Sequence, residues 1–414
     1  MPQTTVEGTA TIRVGFYLAA VAEELTSGGV SPYAWRLLDT LLSAALPVEL
    51  TILATRSQLP RVKSLLATAS TPARVHVVRV EPRWLRGLHR PFEDLAQEHD
   101  IRPAAEVGRL LNPLDHLARR LRLDVMHCPT QSFPFRLWRT PTIITMHDVQ
   151  ELHFPEFFSP RERLGRARGY WFALKSAAAV IVSYEHVKLD IIKYFRIPAE
   201  KVYVCSLPFS NDWLADADAE LIAGIRAKYE LPEQFLLYPA QTWPHKNHAG
   251  LLQALAHIRE ESGEKLALVC TGALNAHTDE VKALARRLEL SDSVRFLGVI
   301  PRKDLSALYQ VTQLVVIPTL YEAGSFPLLE AMMSGTPVVC ARTTSLPETI
   351  GDERFTFDPR DPTDMAATIL KVMRDPKLRA ENVENSARRI HEVAAASATS
   401  AKQFLEVYQH AAAV

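Results

Sequence analysis

The chain has 414 residues, which exceeds the length at which a single hydrophobic core stops growing, so two domains of ordinary size are predicted. Hydrophobic residues make up 47% of the chain and charged residues 23%, as in globular proteins. The 47 Lys and Arg residues balance the 47 Asp and Glu residues, and a net charge of zero argues against a protein held to nucleic acid by bulk electrostatics.

Short apolar runs alternate with helical patterns along nearly the whole chain. This alternation predicts an α/β protein whose parallel sheets are built from βαβ units. In the first half, the predicted strands begin at Ile12, Val48, Val75, Asp124, Pro141 and Ala179. In the second half, they begin at Phe235, Leu266, Val294, Leu314, Pro337 and Phe355.

The alternation stops in the polar stretch from Ser206 to Ala219, which places a domain boundary there. We predict two Rossmann-like, doubly wound domains at residues 1–206 and 207–395. Residues 396–414 are predicted to form a C-terminal helix that returns to the first domain. Open α/β sheets bind ligands outside the carboxyl ends of their strands, so the ligand is expected in a cleft between those ends.

The N-terminus, MPQTTVEG, lacks the charged-then-apolar pattern of a signal peptide, and no apolar run reaches the ~18 residues that span a bilayer. The expected location is the cytoplasm or the inner face of the membrane. Two basic clusters in the first half are typical either of solvated helix faces or of a surface for an anionic membrane or acceptor. They comprise Arg119, Arg120, Arg122, Arg136 and Arg139, and then Arg161, Arg163, Arg166, Arg168 and Lys175. The aromatic residues beside them are Trp84, Trp138, Phe157, Phe158 and Trp171.

Two glycines follow the first predicted strand. Gly28 and Gly29 precede a helical pattern that begins near Ser31. Paired glycines let the backbone approach a ligand closely, and a helix that starts there attracts an anion. The pattern is neither GxGxxG nor a P-loop, so it does not indicate NAD or ATP.

His147 and Asp148 follow the predicted strand PTIITM. A histidine in this position can donate to a sugar hydroxyl or to a developing negative charge, and the adjacent carboxylate could fix its tautomer. The alternative, a histidine satisfied by structural hydrogen bonds, is the commoner role at a strand end.

The segment AQTWPHKNH follows the strand FLLYP and contains His245, Lys246 and Asn247. The ammonium group of Lys246 could neutralise a phosphate. The alternative is an ordinary helix N-terminus capped by Asn247. A lysine in the first turn opposes the helix dipole, so we favour the functional interpretation.

The nonapeptide EAGSFPLLE places Glu322 in a loop and Glu330 in the second turn of a helix. Gly324 and Ser325 predict the turn and the N-cap between them. The N–H groups of this helix start form an anion site that needs no metal, and the two flanking acids suggest a phosphorylated sugar ligand. Alternatively, Glu322 is a solvated loop acid and Glu330 an exposed helix residue.

No metal site is predicted. The Asp216 to Asp218 motif lies in the polar boundary segment rather than at a strand end, where a metal–diphosphate site would need it. The four cysteines have no spacing suited to zinc and are predicted to be buried reduced thiols. They are Cys128, Cys205, Cys270 and Cys340.

Taken together, these motifs resemble the retaining glycosyltransferase family 4, in its bacterial polysaccharide-assembly branch. The motifs are GGV at 28, HD at 147, HK at 245, EAGSFPLLE at 322, GTPVV at 335 and SLPE at 345. The resemblance spans both domains and is strongest from Phe235 to Asp361. It implies the GT-B fold, in which two Rossmann-like domains face each other across a cleft.

The resemblance implies a nucleotide-diphosphate sugar bound mainly by the second domain and a saccharide or lipid-linked saccharide acceptor bound by the first. It implies no cofactor and no divalent metal in the chemistry. Three residues are predicted on this basis to be catalytic: Glu322 at the sugar hydroxyls of the donor, Lys246 at the diphosphate, and His147 at a sugar hydroxyl across the cleft.

The same resemblance assigns the remaining contacts. Glu330 would bind the ribose hydroxyls, and Val299 would lie near the base. Main-chain donors to phosphate and sugar would come from Gly324, Ser325 and Phe326. The predicted donor site is completed by Gln241 and His245, and the predicted acceptor contacts are Gly28 and Gly29.

The chain departs from the family pattern at Ala240-Gln241, where many members have Gly-Arg. Gln241 can hydrogen-bond but carries no charge, so neutralisation of the diphosphate would depend on Lys246, the helix dipole and His245 or another cation.

The predicted reaction is transfer of a hexose with retention, GDP-mannose being the first candidate donor, in surface-polysaccharide biosynthesis. Two alternatives remain: a non-hydrolysing nucleotide-sugar epimerase, and a non-catalytic nucleotide-sugar-binding paralogue suggested by Gln241.

Overall fold

The computed structural model describes residues 11–21, 29–69, 74–80, 112–132, 137, 139–209 and 217–414. The chain divides into two compact units. The first contains Met1–His153, Phe158–Pro208 and Ser397–Val414, and the second contains Phe154–Phe157 and Phe209–Ala396.

A parallel sheet forms the centre of the first unit. Its strands in the described residues are β1 (Ile12–Phe16), β2 (Val48–Ala54), β3 (Val75–Arg79), β4 (Val125–Cys128), β5 (Thr142–Thr145), β6 (Ala179–Val182) and β7 (Val202–Val204). Their order is β3-β2-β1-β4-β5-β6-β7. The first six confirm the six strands predicted in this half, and the edge strand β7 was missed.

Both faces of this sheet are covered by helices, which explains why its central strands are apolar without alternation. Ile143 and Ile181 pack into the core on one face, whereas Ile144 and Val180 pack into the core on the other. The helices that the structure describes in this unit are α1 (Val30–Ser43), α2 (Leu59–Thr68), α3 (Pro113–Arg120), α4 (Gln150–His153), α5 (Pro160–Ser176) and α6 (Glu185–Phe195).

The second unit repeats this plan around one continuous core. Its strands are β8 (Leu236–Pro239), β9 (Leu268–Thr271), β10 (Val294–Phe296), β11 (Leu314–Ile317), β12 (Val338–Ala341) and β13 (Thr356–Phe357), all of them predicted. All pairs are parallel, and the order is β10-β9-β8-β11-β12-β13. The helices are α7 (Ala219–Lys228), α8 (His248–Ser262), α9 (Thr278–Arg287), α10 (Arg302–Val311), α11 (Phe326–Met333), α12 (Leu346–Ile350) and α13 (Pro362–Arg374).

A 37-residue helix, α14 (Pro376–Ala412), ends the chain and contributes to both units. In the second unit, the side-chain amide of Asn382 bonds both the N–H and the C=O of Val338, at 2.9 and 2.8 Å. In the first unit, Phe404, Val407 and Tyr408 are buried in the core beside β1. In the part of the chain that the structure describes, no helix combines the length and the apolar character needed to cross a membrane. The four cysteines are buried free thiols, as predicted.

Candidate active site

The order of the second sheet reverses between the neighbouring strands β8 and β11. The segment that follows β8 contains Gln241, His245 and Lys246, and the segment that follows β11 contains Glu322 to Phe326. Ligands of open parallel sheets bind at this kind of reversal, outside the carboxyl ends of the strands. The fold therefore brings the two strongest sequence motifs together.

Lys246 and Glu322 form an ion pair at this edge of the sheet. The ammonium Nζ of Lys246 donates to Oε2 of Glu322 at 2.6 Å, and the two side chains are 19% and 14% exposed. The hydroxyl of the buried Tyr238, from β8, donates to the main-chain carbonyl of Lys246 at 2.7 Å. This bond fixes the backbone from which the ammonium group projects.

Further hydrogen bonds join the two segments. The carbonyl oxygen of His245 accepts from the N–H of Leu320 at 2.8 Å and from the hydroxyl of Thr319 at 3.0 Å. The amide of Asn247 donates to the carbonyl oxygens of Pro318 and Pro359, while its Oδ1 accepts from the N–H of Gly250. Asn247 is thus the N-cap of α8, as the alternative interpretation of this segment stated. Lys246 lies before that helix, in the 3-10 turn Pro244–Lys246, so the expectation that it occupies the first turn and opposes the dipole of α8 was wrong.

His245 does not supply a second positive charge. Burial, the largest effect, and the nearby charge of Lys246 lower the pKa of its imidazole to about 3. The ring is therefore neutral at neutral pH, which removes His245 as a replacement for the missing arginine.

The backbone of Glu322 is held by residues of the segment after β12. The hydroxyl of Thr344 donates to the carbonyl oxygen of Glu322 at 2.6 Å and accepts from its N–H at 3.1 Å. Ser345 donates to the same carbonyl at 3.1 Å. Thr344 has a φ of 47°, a left-handed conformation that is costly for a β-branched residue, so the geometry around Glu322 is maintained against local strain.

Helix α11 begins as the nonapeptide predicts. Ser325 is its N-cap, and the Ser325 hydroxyl accepts from the N–H of Leu328 at 3.3 Å. Pro327 occupies the first turn, where its missing N–H costs nothing. Glu330 lies one turn further, and its Oε2 accepts a hydrogen bond from the hydroxyl of the buried Tyr309 at 2.8 Å.

Gln241 lies where the segments after β8, β9 and β10 meet. Its Oε1 accepts from the indole N–H of Trp243 at 2.5 Å. Gly272, at the end of β9, has a φ of 108°, and its N–H donates to the carbonyl of Gly298 at 2.8 Å. Val299, in the segment predicted to lie near the base, is 62% exposed.

His147, in the first unit, is oriented by a main-chain carbonyl. Its Nε2 lies 3.1 Å from the carbonyl oxygen of Pro129, and because a carbonyl only accepts, Nε2 carries the proton. Burial lowers the pKa of His147, which favours the neutral ring with a lone pair on Nδ1. His147 is therefore arranged to accept a hydrogen bond through Nδ1, whereas the sequence predicted a donor.

The suggestion that Asp148 fixes the tautomer of His147 is wrong. The amide of Gln131 donates to the carbonyl oxygen of Asp148 at 2.7 Å and to its Oδ1 at 3.0 Å, so this carboxylate serves the segment after β4. The tautomer is set by Pro129 instead.

The acceptor glycines are only partly described. Gly28 lies outside the described residues. Gly29 is the N-cap of α1 with right-handed backbone angles, and its carbonyl accepts from the N–H of Tyr33. The ring of Tyr33 packs edge-on against His147, with centroids 4.8 Å apart, so the start of α1 and His147 are neighbours. The buried hydroxyl of Ser31 finds no hydrogen-bond partner among the described residues.

Comparison with known proteins agrees with these motifs. Residues 224–389 match the model of "Glycosyl transferases group 1", and residues 27–208 match that of "Glycosyltransferase Family 4". The O-antigen chain mannosyltransferase B of Escherichia coli is 32% identical over 278 residues, covering 66% of this chain and 72% of that protein. The chain belongs to the group 1, family 4 glycosyltransferases.

Two further relatives extend the comparison. The glycosyltransferase is 32% identical over 204 residues to the serotype-specific mannosyltransferase WbdA of Escherichia coli, covering 48% of this chain and 25% of WbdA. The crystal structure of Anabaena Alr3699/HepE in complex with UDP and glucose has a TM-score of 0.67 at 19% identity, covering 95% of this chain and 98% of that one. These matches confirm the predicted GT-B fold with its two parallel-sheet α/β units.

Sequence reasoning missed several residues of the glycosyltransferase that hold the site. Tyr309, Thr344 and Pro129 act through contacts between separate elements, and no local pattern marks them. The sequence pattern could have identified Gly272, since a glycine directly after a buried strand suggests that another backbone segment approaches it closely. Within the described residues, no group of three His, Cys, Asp or Glu side chains could hold a metal ion. The predicted independence from metal is tested by no comparison and remains a prediction.

Proposed function

We propose that this glycosyltransferase transfers a mannosyl residue with retention from GDP-mannose to a saccharide or lipid-linked saccharide acceptor in the biosynthesis of a surface polysaccharide. The single observation that carries the proposal is the ion pair of Lys246 and Glu322 beside the N-terminus of α11. Mannose is favoured because two of the relatives are named mannosyltransferases, one of which acts on an O-antigen chain.

Lys246 is proposed to stabilise the departing diphosphate. An ammonium group has three N–H donors, so one bond to Glu322 leaves capacity for phosphate oxygens. Cleavage of the sugar–phosphate bond builds negative charge on the leaving group, and preorganised donors are most effective where charge develops. The main-chain N–H groups of Gly324, Ser325 and Phe326 and the dipole of α11 would add to this stabilisation, and on this basis no divalent metal is required.

Glu322 is proposed to orient the donor sugar rather than to attack it. A carboxylate only accepts hydrogen bonds, and the hydroxyls of a hexose are suitable donors. In the proposed step, the acceptor oxygen bonds to the anomeric carbon on the face that the phosphate leaves, and the departing phosphate takes the proton of the acceptor hydroxyl. Glu330 would hold the ribose hydroxyls, Val299 would lie near the base and Gln241 near the diphosphate, while Nδ1 of His147 would accept from a sugar hydroxyl.

The acceptor is assigned to the first unit. Gly29 lies at the start of α1, next to His147 through Tyr33. Gly28 precedes this helix start, and we assign it to the same acceptor contact.

The first experiment is a thermal-shift panel with GDP, UDP, dTDP and ADP. A nucleotide that binds only the folded chain stabilises it by mass action, so the largest shift identifies the base. We expect GDP to give the largest shift. GDP-mannose is then incubated with and without a mannoside acceptor, and the anomeric configuration of the product is read by NMR. Conversion of the donor into an epimeric nucleotide sugar without acceptor would indicate an epimerase, and an inverted product would refute retention.

The second experiment removes the ammonium group of Lys246. Lys246→Ala should lower kcat by roughly 10²- to 10³-fold, since it removes a donor to the leaving group. Lys228→Ala is a matched control, because Lys228 forms an equally short 2.6 Å ion pair with the buried Asp304 in the same unit. Near-normal transfer by Lys246→Ala would refute the proposed role, and equal losses in both variants would indicate a structural effect. Full activity in EDTA is expected, and loss that Mg²⁺ restores would refute metal independence.

A further inference from the structure

Helix α5 has a buried face that fixes it to the first unit. Tyr170, Ala173 and Leu174 are buried against the sheet. Arg166 pairs with the buried Glu151 at 3.4 Å and lies over the ring of Phe158. At its start, Ser159 and Glu162 form a reciprocal capping box. The helix is therefore firmly anchored along one side and at its N-terminus.

The opposite face carries a stripe of basic and large apolar residues, which we call the α5 stripe. At about 100° per residue, its members fall within about 80° of arc and extend for roughly 21 Å. They are Arg161, Leu164, Arg168, Trp171 and Lys175. All five are exposed, and the two apolar members stand out, with Leu164 at 59% and Trp171 at 56% exposure.

Positive charge continues beyond the C-terminal end of the stripe. The ammonium group of Lys175 donates to the carbonyl oxygen of Arg196, which follows α6, at 3.4 Å. Burial and the charge of Lys175 lower the pKa of Lys201, so these two cations are close to each other. The acidic residue inside α5, Glu162, projects to another side of the helix and is bonded to Ser159.

This combination fits the headgroup region of an anionic bilayer. A tryptophan ring has an apolar body and a polar N–H, and the long stems of Lys and Arg follow apolar surface while their charges reach phosphate groups. A protein partner would favour a central apolar cluster depleted of lysine, whereas here Leu164 and Trp171 are separated by Arg168 and flanked by two further cations. We propose that the α5 stripe docks the enzyme onto the surface of a membrane rich in anionic lipid. The proposal goes beyond the transfer reaction and does not depend on which sugar is moved.

The test is co-sedimentation of the full-length chain with vesicles of phosphatidylcholine alone or mixed with phosphatidylglycerol. We expect binding to the anionic vesicles and its loss in high salt, since exposed charges are screened. The double variant Arg161→Glu with Arg168→Glu should weaken binding by more than about 25-fold, because each cation near such a surface contributes about five-fold. Trp171→Ala should weaken binding several-fold, by a factor that stays constant over the range of salt concentrations in which wild-type binding is still measurable.

Two matched controls come from the second unit. Arg286→Glu with Arg287→Glu makes the same change in net charge at exposed positions of α9, and Leu274→Ala truncates another exposed apolar residue. Both should bind vesicles like the wild type. Equal losses in the α9 and α5 variants would overturn the proposal, as would wild-type binding that is indifferent to phosphatidylglycerol.

Donor turnover with a water-soluble mannoside acceptor is measured in parallel. The α5 variants should retain it, because none of these residues belongs to the proposed catalytic machinery. Vesicle binding by a chain that transfers no sugar would support the docking surface while refuting the proposed reaction, so the two proposals can fail separately.

Discussion

At the level of single residues, the balance of charge around Lys246 determines which groups can stabilise a bound diphosphate. Among the predicted donor-binding residues, all of them described, Lys246 is the one that carries a positive charge at neutral pH, since His245 is neutral and Gln241 uncharged. Its charge is already opposed by Glu322. A bound diphosphate must therefore obtain much of its stabilisation from main-chain N–H groups and the dipole of α11.

Glu330 depends on Tyr309 for its orientation. Burial raises the pKa of Tyr309 well above its ordinary value, so the hydroxyl stays protonated and donates to Oε2 of Glu330. Tyr309→Phe keeps the buried ring but removes this donor. We expect the Kd for GDP, measured by calorimetry, to rise about five- to ten-fold, the equivalent of about 1 to 1.4 kcal/mol for one hydrogen bond. The preference of this variant for GDP over 2′,3′-dideoxy-GDP should also be smaller than that of the wild type.

The matched control for this variant is Tyr229→Phe, which removes a hydroxyl that donates to Asp304 in the same unit. It should leave GDP affinity unchanged. If Glu330→Ala weakens GDP binding while Tyr309→Phe does not, Tyr309 has no positioning role.

At the level of elements, the site depends on close approach between the segments that follow β8, β9 and β10. A Cβ on Gly272 would lie 2.8 Å from the carbonyl carbon of Ala240 and from the N of Gln241, and the φ of 108° is itself unfavourable for an L-residue. Gly272→Ala should therefore lower the free energy of unfolding by about 3 kcal/mol and raise the KM for the donor, since the backbone of Gln241 must move. Urea denaturation and donor kinetics measure the two effects.

Gly263→Ala provides the comparison. Gly263 also has a positive φ, of 72°, but an added Cβ would meet nothing within 4 Å. We expect this variant to cost only about 1 kcal/mol and to leave the donor KM unchanged. A Gly272→Ala enzyme with the KM of the wild type would show that the approach of these segments does not shape the donor site.

The sequence predicted strands and motif positions well because both depend on local patterns. The buried strands are continuous apolar runs, and the N-caps Asn247 and Ser325 are marked by residue type. β7 was missed because its three residues form a short edge strand, with Tyr203 only half-buried. The contacts of Glu330 with Tyr309 and of His147 with Pro129 were missed because they join residues 21 and 18 positions apart. Spacing within one element does not record such contacts.

At the scale of the whole chain, the C-terminal segment is tied to the first unit by a buried histidine. His127, in β4, has its Nδ1 2.9 Å from the hydroxyl of Tyr408 and its Nε2 3.0 Å from that of Thr145. The ring also packs against Phe404 of α14. Protonation of His127 would place an uncompensated charge inside this core, so the attachment of α14 to the first unit depends on a neutral imidazole.

Stability should therefore fall in mild acid. Burial lowers the pKa of His127 to about 3, from an ordinary value of 6.5, and also lowers those of His245 and His248 to about 3. A depressed histidine pKa means that the unfolded chain binds more protons below pH 6.5. The free energy of unfolding should then decrease as the pH falls from 7 to 5, by up to about 1.4 kcal/mol per pH unit for each histidine.

The contribution of His127 to the loss of stability in acid can be identified from the slope of stability against pH. His127→Gln should lower stability at pH 7 because the packing changes, yet its urea midpoint should depend less on pH between 7 and 5 than that of the wild type, since one titrating group is gone. His391→Gln, at an exposed position of α14, should keep the wild-type slope. If His127→Gln retains the full slope, His127 does not resist protonation in the folded chain. The attachment of α14 would then be insensitive to acid at this position.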